Sequence, residues 1–121
     1  MMGIVDIDKI NRGNVEEIFT AIDATTTSAK INCKGYNAIL IDAAFSGAAN
    51  WTFKVQGSLT ENGTYKDCYK LKDDGTMALM SYQTNASRIF LFKGIPDWVK
   101  IVATEDVDGQ TVTVKVQPLN I

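Results

Sequence analysis

Trp51-Thr52-Phe53-Lys54-Val55-Gln56 is the stretch on which the fold turns. Successive side chains of an extended chain point to opposite faces, so Trp51, Phe53 and Val55 share one face while Thr52, Lys54 and Gln56 share the other. One face is apolar and the other wettable, which describes a half-buried strand. Thr111-Val112-Thr113-Val114-Lys115-Val116 repeats the rhythm, with β-branched residues that suit a pleated surface. Outward from these two anchors, the pattern predicts strands near 29–33, 37–43, 65–71, 76–82, 88–93 and 98–104.

Turn chemistry separates them. Glu61-Asn62-Gly63-Thr64, Asp73-Asp74-Gly75 and Asp106-Val107-Asp108-Gly109 carry Asn-Gly or Asp-Gly pairs, which tolerate the positive φ of tight hairpins. Pro96 has no N–H to give a ladder and fits the lead-in to the strand opening at Trp98. Short strands at intervals of roughly 8 to 12 residues predict an all-β fold, an antiparallel β-sandwich of jelly-roll-like form with about eight or nine strands. Residues 1–13 are expected to form an N-terminal arm and 14–121 the sandwich. One segment reads two ways. Val15, Ile18, Phe19 and Ile22 have helical spacing, with Asn14 as a cap and Glu16 and Glu17 in the first turn, whereas Thr25-Thr26-Thr27 favours extended backbone. A first strand is slightly favoured over a short helix.

The 121 residues suit one domain, and 45% apolar with 21% charged residues is ordinary globular composition. A net charge of −2, with Lys and Arg scattered among Asp and Glu, offers no basic stripe for nucleic acid. Asp6 and Asp8 stand where a secretory leader needs an uninterrupted apolar run, so no signal peptide is expected. The most apolar stretch, 38–49, is broken by Asp42, Ser46 and Gly47 and falls short of the roughly 20 residues that span a bilayer, so no membrane partner is expected.

The chain has no histidine, which removes the commonest general base, the usual partner of Ser or Cys nucleophiles and the commonest zinc ligand. Cys33 and Cys68 lack the spacing of a zinc or redox pair and read as reduced core thiols. Asp106, Asp108 and Gly109 show only part of a calcium loop, and Asp67, Asp73, Asp74 and Asp97 read as solvated turn residues rather than a glycosidase pair. Neither a cofactor nor a metal is expected, and no catalysis. Asn50, Asn62 and Asn85 head N-glycosylation triplets that mean nothing without secretion. Among the aromatics, Trp51 points inward by its alternation. Trp98 beside Asp97, together with Tyr65, is the candidate contact surface, either for a protein partner or for a sugar.

Gly35-Tyr36-Asn37 opening an apolar strand, Phe45-Ser46-Gly47-Ala48, the strand ending Val55-Gln56-Gly57-Ser58, Glu61-Asn62-Gly63-Thr64-Tyr65, Trp98-Val99-Lys100-Ile101 and Thr111-Val112-Thr113-Val114 together form a recognisable arrangement. From 14 to 118 it resembles the small β-sandwich virion proteins of tailed bacteriophages and prophages, in particular capsid decoration (cement) proteins and related head or tail accessory subunits. Carbohydrate-binding and adhesion sandwiches share part of the pattern. The resemblance implies a non-enzymatic subunit made in the host cytoplasm and present in the virion. It would be bound to the major capsid protein or another virion protein and would associate as a homo-oligomer such as a trimer.

Overall fold

Trp51, Phe53 and Val55 are fully buried, and so are Val112, Val114 and Val116 to within 1%. The computed structural model describes residues 12–47, 50–107 and 110–121; within them the chain is all-β, with twelve strands and no helix. The strands are β1 (Glu16–Ile22), β2 (Thr26–Thr27), β3 (Ile31–Asn32), β4 (Ala38–Phe45), β5 (Asn50–Ser58), β6 (Lys66–Asp67), β7 (Tyr69–Leu71), β8 (Met77–Leu79), β9 (Ser81–Thr84), β10 (Arg88–Lys93), β11 (Trp98–Val107) and β12 (Val112–Leu119).

The first sheet runs β1-β12-β4-β10. The second runs β2-β11-β5-β6, with β3 also on β11 and β9 also on β5, and β7 and β8 form a separate two-stranded ribbon. All these pairings are antiparallel. Phe19, Ile39, Ile41, Phe92, Val112, Val114 and Val116 of the first sheet join Ile31, Trp51, Phe53, Val55, Val99 and Ile101 of the second in one core. Two inner faces closing on one another make the layered arrangement that the alternation predicts; a jelly-roll order is not established by the pairings. Trp51 shows which force dominates. Its indole N–H is buried without an acceptor among the described residues, a cost of about 1–3 kcal/mol. Removing about 200 Å² of ring from water contributes about 5 kcal/mol, so burial prevails.

The segment with helical spacing is β1, a strand. Its register with β12 slips between Glu17 and Phe19 and again between Phe19 and Ile22, and Ala21 within the second slip takes a φ of 45°. Phe19 opposite Val114 and Ile22 opposite Val112 consequently both face the core although three residues apart. Bulges in a strand thus imitate the spacing of a helix.

The strand count exceeds the expected eight or nine because two predicted strands each divide and the short β2 (Thr26–Thr27) stands apart from β1. The stretch 65–71 breaks at Cys68 and 76–82 breaks at Met80, where the chain leaves the second sheet. Both breaks are pinned at Val55: Cys68 N–H donates to Val55 O (2.9 Å), Val55 N–H to Met80 O (3.1 Å) and Met80 N–H to Cys68 O (2.8 Å). Below this point β6 pairs with Gln56–Gly57 and β9 with Trp51–Lys54. Above it the ribbon β7–β8 stands off the sheet edge. Its tip is the expected Asp-Gly turn, with Gly75 at φ 86° and the Asp74 carboxylate accepting from the Thr76 N–H (3.0 Å) and hydroxyl (2.6 Å). Gly63 behaves differently, lying outside the positive-φ region. A Cβ there would lie 2.5 Å from Ser58 Oγ and 2.7 Å from Thr60 Oγ1, so a side chain at this position would have to displace those two hydroxyls.

Pro96 precedes β11 as expected, and β11 runs on through Asp106, so the third predicted turn begins later than its sequence suggests. Asp108 and Gly109 of that turn, Ala48 and residues 1–11 of the predicted arm lie outside the described residues. Arg12 bridges Leu119, and Gly13 N–H donates to Pro118 O at 2.7 Å.

Candidate functional site

Three surfaces stand out once the core is accounted for. On the outer face of the first sheet, Gln117, Leu40 and Leu91 are successive register partners on β12, β4 and β10, and Lys115, Asp42 and Ile89 form the adjacent row. Ile89 is 64% exposed and Leu91 42%. Val15, Leu40, Ile89 and Val116 line a shallow, mainly apolar depression there. Among the described residues β10 pairs with β4 alone, which leaves its other edge open.

The ribbon is the second surface. Tyr69, Leu71 and Met77 are 55%, 70% and 57% exposed, an arrangement that leaves apolar side chains of a two-stranded sheet without cover.

The third is the outer face of the second sheet, which holds the residues expected from sequence. Val99 and Ile101 face the core, so Trp98 and Lys100 face outward. Trp98 is half-buried, paired with Ser58 of β5 and Asn32 of β3. Asp97 is exposed, and its carbonyl accepts from Cys33 N–H at 2.7 Å. Tyr65, also half-buried, lies in the loop before β6, with Lys100 Nζ 4.5 Å from its ring centre. Its hydroxyl donates to Glu61 O at 2.7 Å, while Lys30 pairs with the Glu61 carboxylate at 2.9 Å and donates to Asn62 Oδ1 at 3.0 Å. Tyr65 and Trp98 therefore share one face, and the cations Lys30 and Lys100 are the part that composition did not reveal. The missed signal was local: Lys100 follows Trp98 by two residues and so shares its face.

Three of the acidic side chains have partners in their own sheet or turn. Asp67 accepts from Gln56 Nε2 (3.1 Å) and Lys54 Nζ, bonds that hold its pKa below the ordinary value. Asp74 is likewise lowered, first by the Thr76 hydroxyl within its own turn. Asp106 accepts from Thr52 Oγ1 and Gln83 Nε2 within the second sheet. Among the described residues no three His, Cys, Asp or Glu side chains gather as metal ligands, and no helix is long and apolar enough to cross a membrane. The two thiols are free: Cys33 is buried and Cys68 half-buried beside Gly57, whose hydrogen leaves the room that a Cβ, 2.8 Å from Cys68 Sγ, would fill.

No family model matches this chain, and no curated protein matches its sequence. Solved structures do match its fold. SPBc2 prophage-derived protein YomS superposes with a TM-score of 0.61 at 15% identity, over 90% of this chain and 93% of that one. The fold of this chain is similar to that of YomS. PBSX exported protein XepA superposes with a TM-score of 0.59 at 20% identity over 88% of this chain, which spans only 38% of XepA. YomS is thus matched along nearly its whole length, and XepA over a part of it.

Proposed function

We propose that this chain is a non-enzymatic structural subunit of a bacteriophage particle and, within that class, a decoration (cement) protein bound to the major capsid protein of the head shell. The observation that carries the reading is the end-to-end likeness of its fold to YomS, on a body that leaves apolar side chains of the β7–β8 ribbon and the β10 face uncovered. Exposed apolar side chains on a ribbon and beside an open strand edge suit assembly, because a neighbour can bury them and extend the sheet together. The chain would work in the virion as a homo-oligomer, a trimer in the simplest case, since repeated copies multiply weak contacts through effective concentration. Tail or baseplate attachment is the neighbouring assignment within the same class.

Particles assembled without this chain, imaged by electron cryomicroscopy, are expected to lack regular density on the outer shell and to release their genome at lower temperature. A shell of unchanged density and heat resistance would defeat the assignment. Density missing from the tail instead would reject the shell placement in favour of the tail.

A further inference from the structure

The Tyr65–Trp98 face of the second sheet is built differently from the two apolar surfaces, and it goes beyond the assembly reading. From its geometry we infer a binding site for an acidic saccharide, one bearing uronate carboxylates. Tyr65, Lys30, Asn62, Glu61 and Lys100 line a shallow depression of about 450 Å³, and Trp98 stands beside it on Lys100's strand. Lys100 follows Trp98 by two positions, about 7 Å along the strand, comparable with the size of one sugar ring.

Each kind of contact that a sugar acid requires has a counterpart here. Its ring has an apolar face, which a half-buried aromatic side chain accepts; Trp98 stands beside the depression, and Tyr65, one face of whose ring meets Lys100, lines it. Its hydroxyls need both donors and acceptors, and the Asn62 amide and Glu61 carboxylate supply both kinds. Its carboxylate needs a cation. Lys100 meets the Tyr65 ring and no carboxylate among the described residues, so its ammonium keeps donors for an incoming anion. Lys30 and Glu61 are paired at the rim with side chains 40% and 48% exposed, where an ion pair holds little energy and yields readily to a ligand. The cluster carries two cations against one carboxylate in a chain of net charge −2, so an acidic ligand is drawn to this place rather than to the body at large. A polyphosphate, more densely charged and without an apolar ring face, is less well suited to a depression with two cations beside aromatic rings.

The test uses the isolated full chain, so it fails or succeeds independently of where the protein sits on a particle. Hexagalacturonate is titrated against 15N-labelled protein, with maltohexaose as the neutral probe and inorganic polyphosphate as the non-sugar anion. Saturable shifts centred on Tyr65, Trp98 and Lys100 are expected with hexagalacturonate, at least about tenfold tighter than with either comparison probe. Lys100→Gln and Tyr65→Ala should each weaken binding about tenfold, while Lys93→Gln, on the other sheet, should leave it unchanged. Lys100→Gln alters a surface group, so it decides the matter if Tyr65→Ala fails to fold. Absence of saturable binding, equal loss with Lys93→Gln, or polyphosphate or maltohexaose binding as tightly as hexagalacturonate would each overturn the inference.

Discussion

Cys33 shows how strongly one position feels the sandwich. Its side chain is fully buried, and its pKa rises from the ordinary 9.0 to about 12, first through burial and then through the nearby charges of Asp97 and Glu16. Burial penalises the thiolate, so the folded state keeps the proton after the unfolded chain has lost it. Between pH 9 and pH 12 the unfolded state binds fewer protons, and stability falls as pH rises, by up to about 1.4 kcal/mol per pH unit from this group. Urea titrations at a series of alkaline pH values should show a shallower decline for Cys33→Ala than for the parent, whatever their difference at neutral pH. Parallel declines would mean that the thiol does not contribute. The same burial makes Cys33 inert toward alkylating reagents in the native state.

Elements depart from their sequence signature where backbone hydrogen bonds override it. β1 keeps its inward residues at Phe19 and Ile22 only because two bulges reset its phase. The ribbon β7–β8 exists because Val55 holds Cys68 and Met80 against the edge of β5 and turns the intervening hairpin away from the body. Leu71 and Met77 contribute nothing to the core. Replacing both with serine should therefore change the unfolding free energy by no more than about 0.5 kcal/mol, while lowering the mass of the assembled species in sedimentation velocity. A variant that assembles like the parent would show that the ribbon makes no intermolecular contact; one that melts much earlier would show that it supports the fold.

At the scale of the whole molecule, the sheets are assembled from segments far apart in sequence. β12 lies between β1 and β4, and β11 between β5 and the short strands β2 and β3. Arg12 and Gly13 are tied to Leu119 and Pro118, so both ends of the described chain meet in the first sheet. Loops of this length must close before the pairings repay them, and such a topology folds in about milliseconds to seconds rather than microseconds. Stopped-flow fluorescence of the Trp98→Phe chain, which leaves Trp51 as the sole core reporter, should show refolding in that range. Completion within the dead time would indicate that local structure, not long-range pairing, sets the rate.

The sequence by itself determined the extended character of the chain and the inward face of its best strands: Trp51, Phe53, Val55 and the three valines of β12 are buried as their alternation requires. It also located the Asp-Gly tip of the ribbon and the bounds of β10, because turn preferences and the two-residue period are local properties of neighbouring side chains. The tertiary structure alone decided which strands lie side by side, where Cys68 and Met80 divide two of them, and that Lys30 and Lys100 gather around Tyr65. Backbone N–H and C=O groups are the same at nearly every residue, so the bonds that choose partners leave no mark in the sequence. A cluster such as Tyr65 with Lys100 comes into being only when those choices have been made.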